Sequence, residues 1–419
     1  MKWTKYLSFL IFFAAGINLA AQETESADND TLFIPESWET DLGAFKQSQR
    51  EQYIVRKKEN PAYDEAATIC DSLYAARLAA LNNLIVVPYN DIIRRYIDLY
   101  VDRRRKTIEY ILGLENAYFP MIEQKLDKHD LPLELKYLAV VESALNPMAV
   151  SHAGATGLWQ FMLATGKRYD LEINSLVDER KDPDKSTETA CVYLKDLYSI
   201  YGDWALAMSA YNCGPGNVNK AIRRAGGSRD YWKVYPFLPR ETRAYVPMFL
   251  AINYVMEYYA HHQFRPAEVK QPPVTDTVVV NRPIHFDQIA DVLKIDKELL
   301  RELNPQYKRD IVPGNSKSRA IRLPDLQAYA FIGQEDSIAN YRKDELLAFR
   351  IGNMPDNNLE KITHRVRSGE TLRSLERKYG VSATQIRKWN GLKSNRLKAG
   401  RRLIIYADTG GFSFKEPQK

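Results

Sequence analysis

The chain has 419 residues, 45% of them hydrophobic and 27% charged, and a formal net charge of +6. That length suffices for roughly two to four domains with cores of their own, and the composition is that of globular protein and excludes a membrane bundle. The charge is uneven: from Lys361 onward 15 Lys and Arg face 4 Asp and Glu, so the tail carries +11 and the remainder −5.

In chain order, Lys2 and Lys5 precede an apolar run from Tyr6 to Ala15, and small residues at Ala20 and Ala21 precede a polar stretch from Gln22. This is the layout of a secretory signal peptide over residues 1–21. Leu19 departs from the small residue preferred at that point of a cleavage site. An uncleaved anchor is the other reading, but the run is short for a span. The expected location is therefore the periplasm or cell envelope. No cysteine follows the run, so an outer-membrane association would lack a lipid-anchor cysteine. Cys70, Cys191 and Cys213 show no paired metal spacing; a Cys191–Cys213 disulfide is open, and all three read as small buried residues.

Residues 22–88 form an N-terminal region, acidic and polar at first and then helical in patches, the best from Asp64 to Leu81. Ile92, Ile93, Tyr96, Ile97, Leu99 and Tyr100 then recur at helical spacing. The run Arg103 to Lys106 interrupts them and reads as a solvated face, with contact to anionic glycan or peptide as the alternative. Leu131-Pro132 starts the next helix, with Asp130 as its N-cap and Pro147 as its stop. Leu135, Leu138, Ala139 and Glu142 fall on one stripe, which turns this acid toward the core. Burial among apolar neighbours and a helix C-terminus both disfavour its charged form and suit it to general acid work.

Gly154 and Gly157 predict a tight turn, after which Leu158, Phe161 and Met162 pack while Trp159 and Gln160 point elsewhere. Residues 178–202 read as a loop leading into an amphipathic helix. Small residues at Ala205, Ala207, Ser209 and Ala210 predict close helix contacts, and Gly214-Pro215-Gly216 forces a turn after Tyr211-Asn212. Tyr245 is expected just before another helix. Past Pro266 the pattern changes to strand–helix–helix–strand and repeats. At an offset of 86, Phe286, Ile289, Leu293, Ile295, Leu300, Leu303 and Asn304 match Leu372, Leu375, Tyr379, Val381, Ile386, Trp389 and Asn390. Trp389 reads as module core. His152, His261 and His262 show no ligand set, so no metal or other cofactor is implied.

Four stretches in order, VESALNP (141–147), GATGLWQFM (154–162), AYNCGPGNV (210–218) and ETRAYV (241–246), resemble the motifs of the lytic transglycosylase (SLT) domain. The basic repeat HRVRSGETLRSLERKYGVSATQIRKWNGL (364–392) resembles a LysM module. The first repeat departs from it, with Asn281 to His285 where the second has Ser-Gly-Glu-Thr. The resemblance implies a mainly α, lysozyme-like catalytic domain followed by small α+β (βααβ) LysM-type modules. The divisions expected are 22–88, a transglycosylase domain at 89–262, a degenerate LysM-like module at 273–324, a charged linker with one helical patch at 325–360, a LysM module at 362–407 and a tail at 408–419. It also implies Glu142 as the catalytic acid, Ser143 beside the same sugar, and Gln160 and Met162 along the groove. Tyr211 and Asn212 would hold the substrate N-acetyl group or the glutamate, and Tyr245 would reach the acid from across the groove.

The residues agree with a single-acid reaction. Two-carboxylate glycosidases need a partner acid about 5–5.5 Å or 6.5–9.5 Å away. Glu241 is the only other carboxylate in the four stretches, and beside Arg240 and Arg243 it reads as ion-paired. The expected function is cleavage of the β-1,4 bond between N-acetylmuramic acid and N-acetylglucosamine with formation of 1,6-anhydro ends, the LysM module carrying the enzyme to the wall. The alternatives are a hydrolytic muramidase of the same fold and a non-catalytic peptidoglycan-binding scaffold. The partners expected are peptidoglycan glycan strands and, peripherally, an anionic envelope membrane; nucleic acid does not fit an exported chain.

Overall fold

The computed structural model describes residues 32–36, 38, 70–81, 83–268, 274–314, 317–347 and 360–407, apart from positions 368, 380, 382 and 393. The signal peptide, the tail beyond 407 and residues 64–69 of the patch from Asp64 lie outside the described residues. After Asp71–Ala80 (α1), Asn90 caps Asp91–Asp98 (α2), its side chain accepting from the amides of Ile92 and Ile93 at 3.1 Å. The helix winds through a π turn, Leu99–Arg103, and breaks at Arg104 before Arg105–Lys128 (α3), so the basic run does interrupt it. Arg103 and Lys106 are exposed, while Arg105 donates to the His262 carbonyl at 2.7 Å and covers the Phe264 ring.

Asp130 does not cap the next helix. It sits at φ +57 after α3, and a 3-10 turn at Leu133–Leu135 leads into Lys136–Ser143 (α4) without a side-chain cap. The stripe of Leu135, Leu138 and Ala139 is fully buried, and so are Tyr137, Val140 and Val141, so this short helix lies inside the domain. It stops at Ser143, ahead of Pro147, because Ala144 and Leu145 turn left-handed at φ 51 and 63. Each such residue costs about 1–2 kcal/mol without glycine, a strain that core packing must offset. Trp38 closes this end, its indole N–H donating to the carbonyls of Val140 and Val141 at 3.0 and 3.2 Å.

Leu163–Arg168 (α5), Pro183–Tyr201 (α6), Trp204–Cys213 (α7), Pro215–Arg224 (α8), Tyr231–Val234 (α9) and Arg240–Glu257 (α10) complete the helical part. Asp182 caps α6 with Pro183 in its first turn, and the small residues of α7 are buried against α6, α8 and α10 as expected. Helix α10 is buried at every position from Thr242 to Met256 and packs on α2, α4 and α7. Tyr245 therefore lies within a helix, not ahead of one, because the sequence from Arg240 already supports it. The three cysteines are unpaired thiols, and Cys70 is exposed, contrary to its reading as a buried residue. Among the described residues no helix is long and apolar enough to cross a membrane.

Two small modules follow. Thr275–Val280 (β1) pairs antiparallel with β4, and Ile284–His285 (β2) with β3; Phe286–Leu293 (α11) and Lys297–Leu303 (α12) intervene before Ile311–Val312 (β3) and Arg319–Pro324 (β4). Residues 325–347 differ from the linker expected there. Asp325–Asn340 (α13) packs on α11, β1 and β4, and Ala328, Phe331, Ile338 and Leu347 enter the module core around Lys343–Leu346 (α14). Leu326, Tyr329 and Ile332 stand exposed on the opposite face of α13, so its apolar residues do not show as a one-sided stripe. The second module is Glu360–Arg365 (β5), Leu372–Tyr379 (α15), Ala383–Trp389 (α16) and Arg402–Ala407 (β6), with β5 and β6 antiparallel. The repeat is real at the level of bonds. Asn304 donates to the carbonyls of Leu300 and Arg322 and accepts from Arg322 N–H; Asn390 does the same with Ile386 and Ile404. Trp389 packs against the second core.

Candidate active site

Glu142 stands on the last turn of α4, where the aligned carbonyls oppose a negative charge. The residue is partly open to solvent while its neighbours Val141 and Ser143 are buried. Burial raises its carboxyl to about 7 from an ordinary 4.5, and the Tyr245 hydroxyl, donating to Oε1 at 2.6 Å, holds it lower than burial alone would. Tyr245 is buried on α10, and Tyr211 lies near the end of α7. Burial first, and then the Glu142 charge, keep both phenols well above their ordinary range, so both remain hydrogen-bond donors. Glu241 is exposed on the first turn of α10 and, among the described residues, pairs with neither Arg240 nor Arg243, contrary to the expected ion pair. Its charge points to solvent instead.

The segment after α4 supplies the rest. Gly154 and Gly157 take φ +82 and +89, and Thr156 bridges Phe161 with reciprocal bonds of 3.1 Å. Leu158 and Phe161 are buried as expected, but Trp159 is buried too, donating to Thr187 Oγ1 at 2.9 Å, and Met162 is 46% exposed. Helical spacing does not apply here, since 157–161 is a turn and α5 begins only at Leu163. Gln160 takes φ +46 and donates to the carbonyls of Gly157 and Ala149 at 2.9 and 3.2 Å. Two residues tie the turn to the acid: Ser143 donates to Leu158 O at 2.9 Å and Tyr211 to Trp159 O at 2.8 Å. Ser143 is 1% exposed, so its hydroxyl serves this inner bond. Asn212 is exposed one residue past Tyr211, and its Oδ1 accepts from Thr242 of α10 at 2.8 Å. Glu142, Tyr211 and Tyr245 are thus brought together directly, while Ser143, Gln160 and Asn212 join them through the turn and through α10.

Several contributors carry no signal in the sequence. Arg180 donates to the carbonyls of Gly154 and Phe161 at 3.0 and 3.1 Å and grips Asp178 at 2.9 Å. It stands in a charged stretch, DERKDPDK, from which nothing singles it out. Trp38 and Thr242 act through backbone and side-chain bonds across long separations, which no local pattern encodes. His262 is buried against the Tyr254 hydroxyl at 2.9 Å and burial lowers its pKa to about 4, a structural role as expected.

The Transglycosylase SLT domain matches residues 119–233, the LysM-like domain of lytic transglycosylase MltD matches 274–340, and the LysM domain matches 364–405. Membrane-bound lytic murein transglycosylase D of Escherichia coli K12 is 32% identical over 326 residues, 77% of this chain and 70% of that one. The soluble lytic murein transglycosylase of the same organism is 32% identical over 128 residues, 29% of this chain and 20% of its own. The crystal structure of the 70 kDa soluble lytic transglycosylase of E. coli aligns with 37% of this chain and 26% of that one, at 27% identity and a TM-score of 0.29. With these matches, the helical domain followed by two small modules of paired strands and helices is a lytic transglycosylase with LysM-type extensions. The chain belongs to the family of membrane-bound lytic murein transglycosylase D.

Proposed function

We propose that this chain cleaves peptidoglycan at the β-1,4 bond between N-acetylmuramic acid and N-acetylglucosamine, with Glu142 as its single acid and base. The observation that carries the reading is the carboxyl raised to about 7 by burial, with the Tyr245 hydroxyl donating to it at 2.6 Å. Protonated Glu142 gives its proton to the bridging oxygen, and the glycosidic bond breaks. The N-acetyl oxygen of the muramyl residue stabilises C1, as in substrate-assisted glycosidases. Glu142, now a carboxylate, takes the proton of the 6-hydroxyl of the same sugar, and that oxygen closes on C1. The product ends in a 1,6-anhydro ring and no water is consumed. Tyr245 orients the carboxyl; Tyr211, Ser143 and Gln160 fix the turn beside it; Asn212 and Met162, both exposed, offer contacts to the glycan.

The second LysM module supplies a hold on the wall, and the basic tail adds attraction to anionic envelope polymers or a membrane surface. Export to the periplasm, with peripheral association with an envelope membrane, completes the reading. Digestion of sacculi followed by mass spectrometry tests it. Products lighter by one water than a hydrolysed end are expected; a reducing end would make the enzyme a muramidase. Glu142→Gln is expected to abolish cleavage while sacculus binding persists. Retention of more than about a tenth of parent activity would overturn the single-acid assignment, given the usual size of general acid catalysis.

A further inference from the structure

The helical domain and the first LysM-like module share a core. A hairpin at 172–179, between α5 and α6, closes on itself through Asn174 N–H to Val177 O at 2.8 Å and Glu179 N–H to Glu172 O at 2.9 Å. Its tip residues, Leu176 and Val177, are 3% and 1% exposed, and they pack with Phe286, Ile311 and Leu323 of the module, not with the helical core. Backbone bonds cross the junction: Asp178 N–H to Gln306 O at 2.9 Å and Lys308 N–H to Leu176 O at 2.7 Å. Arg319, buried on β4, makes a bidentate pair with Glu172 at 2.7 and 2.8 Å, and Lys308 Nζ reaches Asn174 O at 2.8 Å and Asp178 at 3.6 Å. A tether on a free linker has no need of any of this.

The far side of the hairpin touches the candidate groove. Asp178 holds the Arg180 guanidinium by two bonds of 2.9 Å, and that guanidinium reaches Gly154 O and Phe161 O, the two ends of the turn that Ser143 and Tyr211 tie to the acid. The Arg180 carbonyl also lies so close to Gly157 that a Cβ there would meet it at 1.8 Å. One continuous set of buried and half-buried bonds therefore runs from Arg319 and Lys308 of the module to the turn beside Glu142. We propose that the first LysM-like module is a fixed brace of the catalytic groove, and that Arg180, gripped by Asp178, is the positioning residue through which it acts. This rests on the assignment of Glu142 as the acid. The module's docked turn is then unavailable to the wall, and wall binding falls to the second module.

The test uses the full chain with Arg319→Ala, Arg319→Lys and the milder Lys308→Ala. Hydrogen exchange of the amides of residues 156–161 is measured beside turnover of a short soluble peptidoglycan glycan and pelleting with sacculi. In Arg319→Ala and Lys308→Ala the 156–161 amides should exchange faster. The same two variants should lose kcat by about 5- to 100-fold, the range of a reacting geometry displaced by up to an ångström. KM and pelleting should hold at parent values, and Arg319→Lys should recover most of both effects. Unchanged exchange at 156–161, while the hairpin amides at 174–178 exchange faster, would overturn the brace. So would faster exchange at 156–161 with an unaltered kcat. Glu142→Gln, run alongside, separates the two readings: if it still turned over glycan, the acid assignment would fall, and the exchange data would decide the brace without it.

Discussion

Two influences of opposite sign set the proton of Glu142, burial raising its pKa and the Tyr245 hydroxyl lowering it. The folded value near 7 lies above the ordinary 4.5, so the acid form needed to begin the reaction persists to neutral pH and is lost above it. The rate on a soluble glycan should therefore fall on an alkaline limb centred near pH 7. Tyr245→Phe removes a donor that favours the carboxylate, so its limb should move to higher pH even as kcat drops; a limb displaced to lower pH would contradict the assignment. Stability follows the same linkage. A raised carboxyl contributes stability that is fully present below about 4.5 and is lost as pH rises through about 7. Glu142→Gln escapes that loss, so it should gain on the parent between pH 4 and pH 8 by about 1–3 kcal/mol, read from denaturant titrations at the two pH values. Glu142 was legible in the sequence because its apolar stripe predicts burial directly. Arg180 was not, since its partners are backbone carbonyls whose positions depend on how a distant turn folds.

Helix periodicity served well where an element packs on one side. Asp91–Asp98 and Pro183–Tyr201 follow from apolar spacing and polar caps, and the strand at Thr275–Val280 from its β-branched run. It misled at residues 157–162, where a turn reverses which side chains point inward, and it gave no packing face for α13, whose apolar residues lie on the exposed face as well as the buried one. The two glycines of that turn should behave differently. Alanine at Gly154 meets no atom within 4 Å and faces only its φ of +82, so Gly154→Ala should cost about 1–2 kcal/mol. Gly157→Ala combines φ +89 with a Cβ 1.8 Å from the Arg180 carbonyl, a backbone atom that cannot swing aside. It should destabilise by more than about 4 kcal/mol or yield no folded protein, and thermal melts of the pair would show the ranking.

At the scale of the molecule, burial divides the described residues into three apolar clusters, and the division does not follow the expected boundaries. The first module shares its cluster with the hairpin of the helical domain, whereas the cluster of the second module draws only on residues between Ile362 and Ile405. Removing residues 362–419 should therefore leave both the groove and its docked module folded. That segment also carries +10 of charge on a chain whose remainder is −4. Exposed Arg365 and Arg402 stand directly opposite each other across β5 and β6, a like-charge pair that an anionic partner would relieve. The truncated protein should thus bind insoluble peptidoglycan more weakly, yet turn over short soluble glycans at the parent rate. Tethering raises the local concentration of a polymer at the groove and gives no advantage to a fragment that diffuses freely. Part of the lost binding should be the part that salt removes from the parent, because exposed charges are screened over about 8 Å at physiological ionic strength. Pelleting assays with sacculi at low and moderate salt would measure both parts. Equal binding by parent and truncated protein at both salt levels would remove the second module from the hold on the wall and leave the groove to supply it.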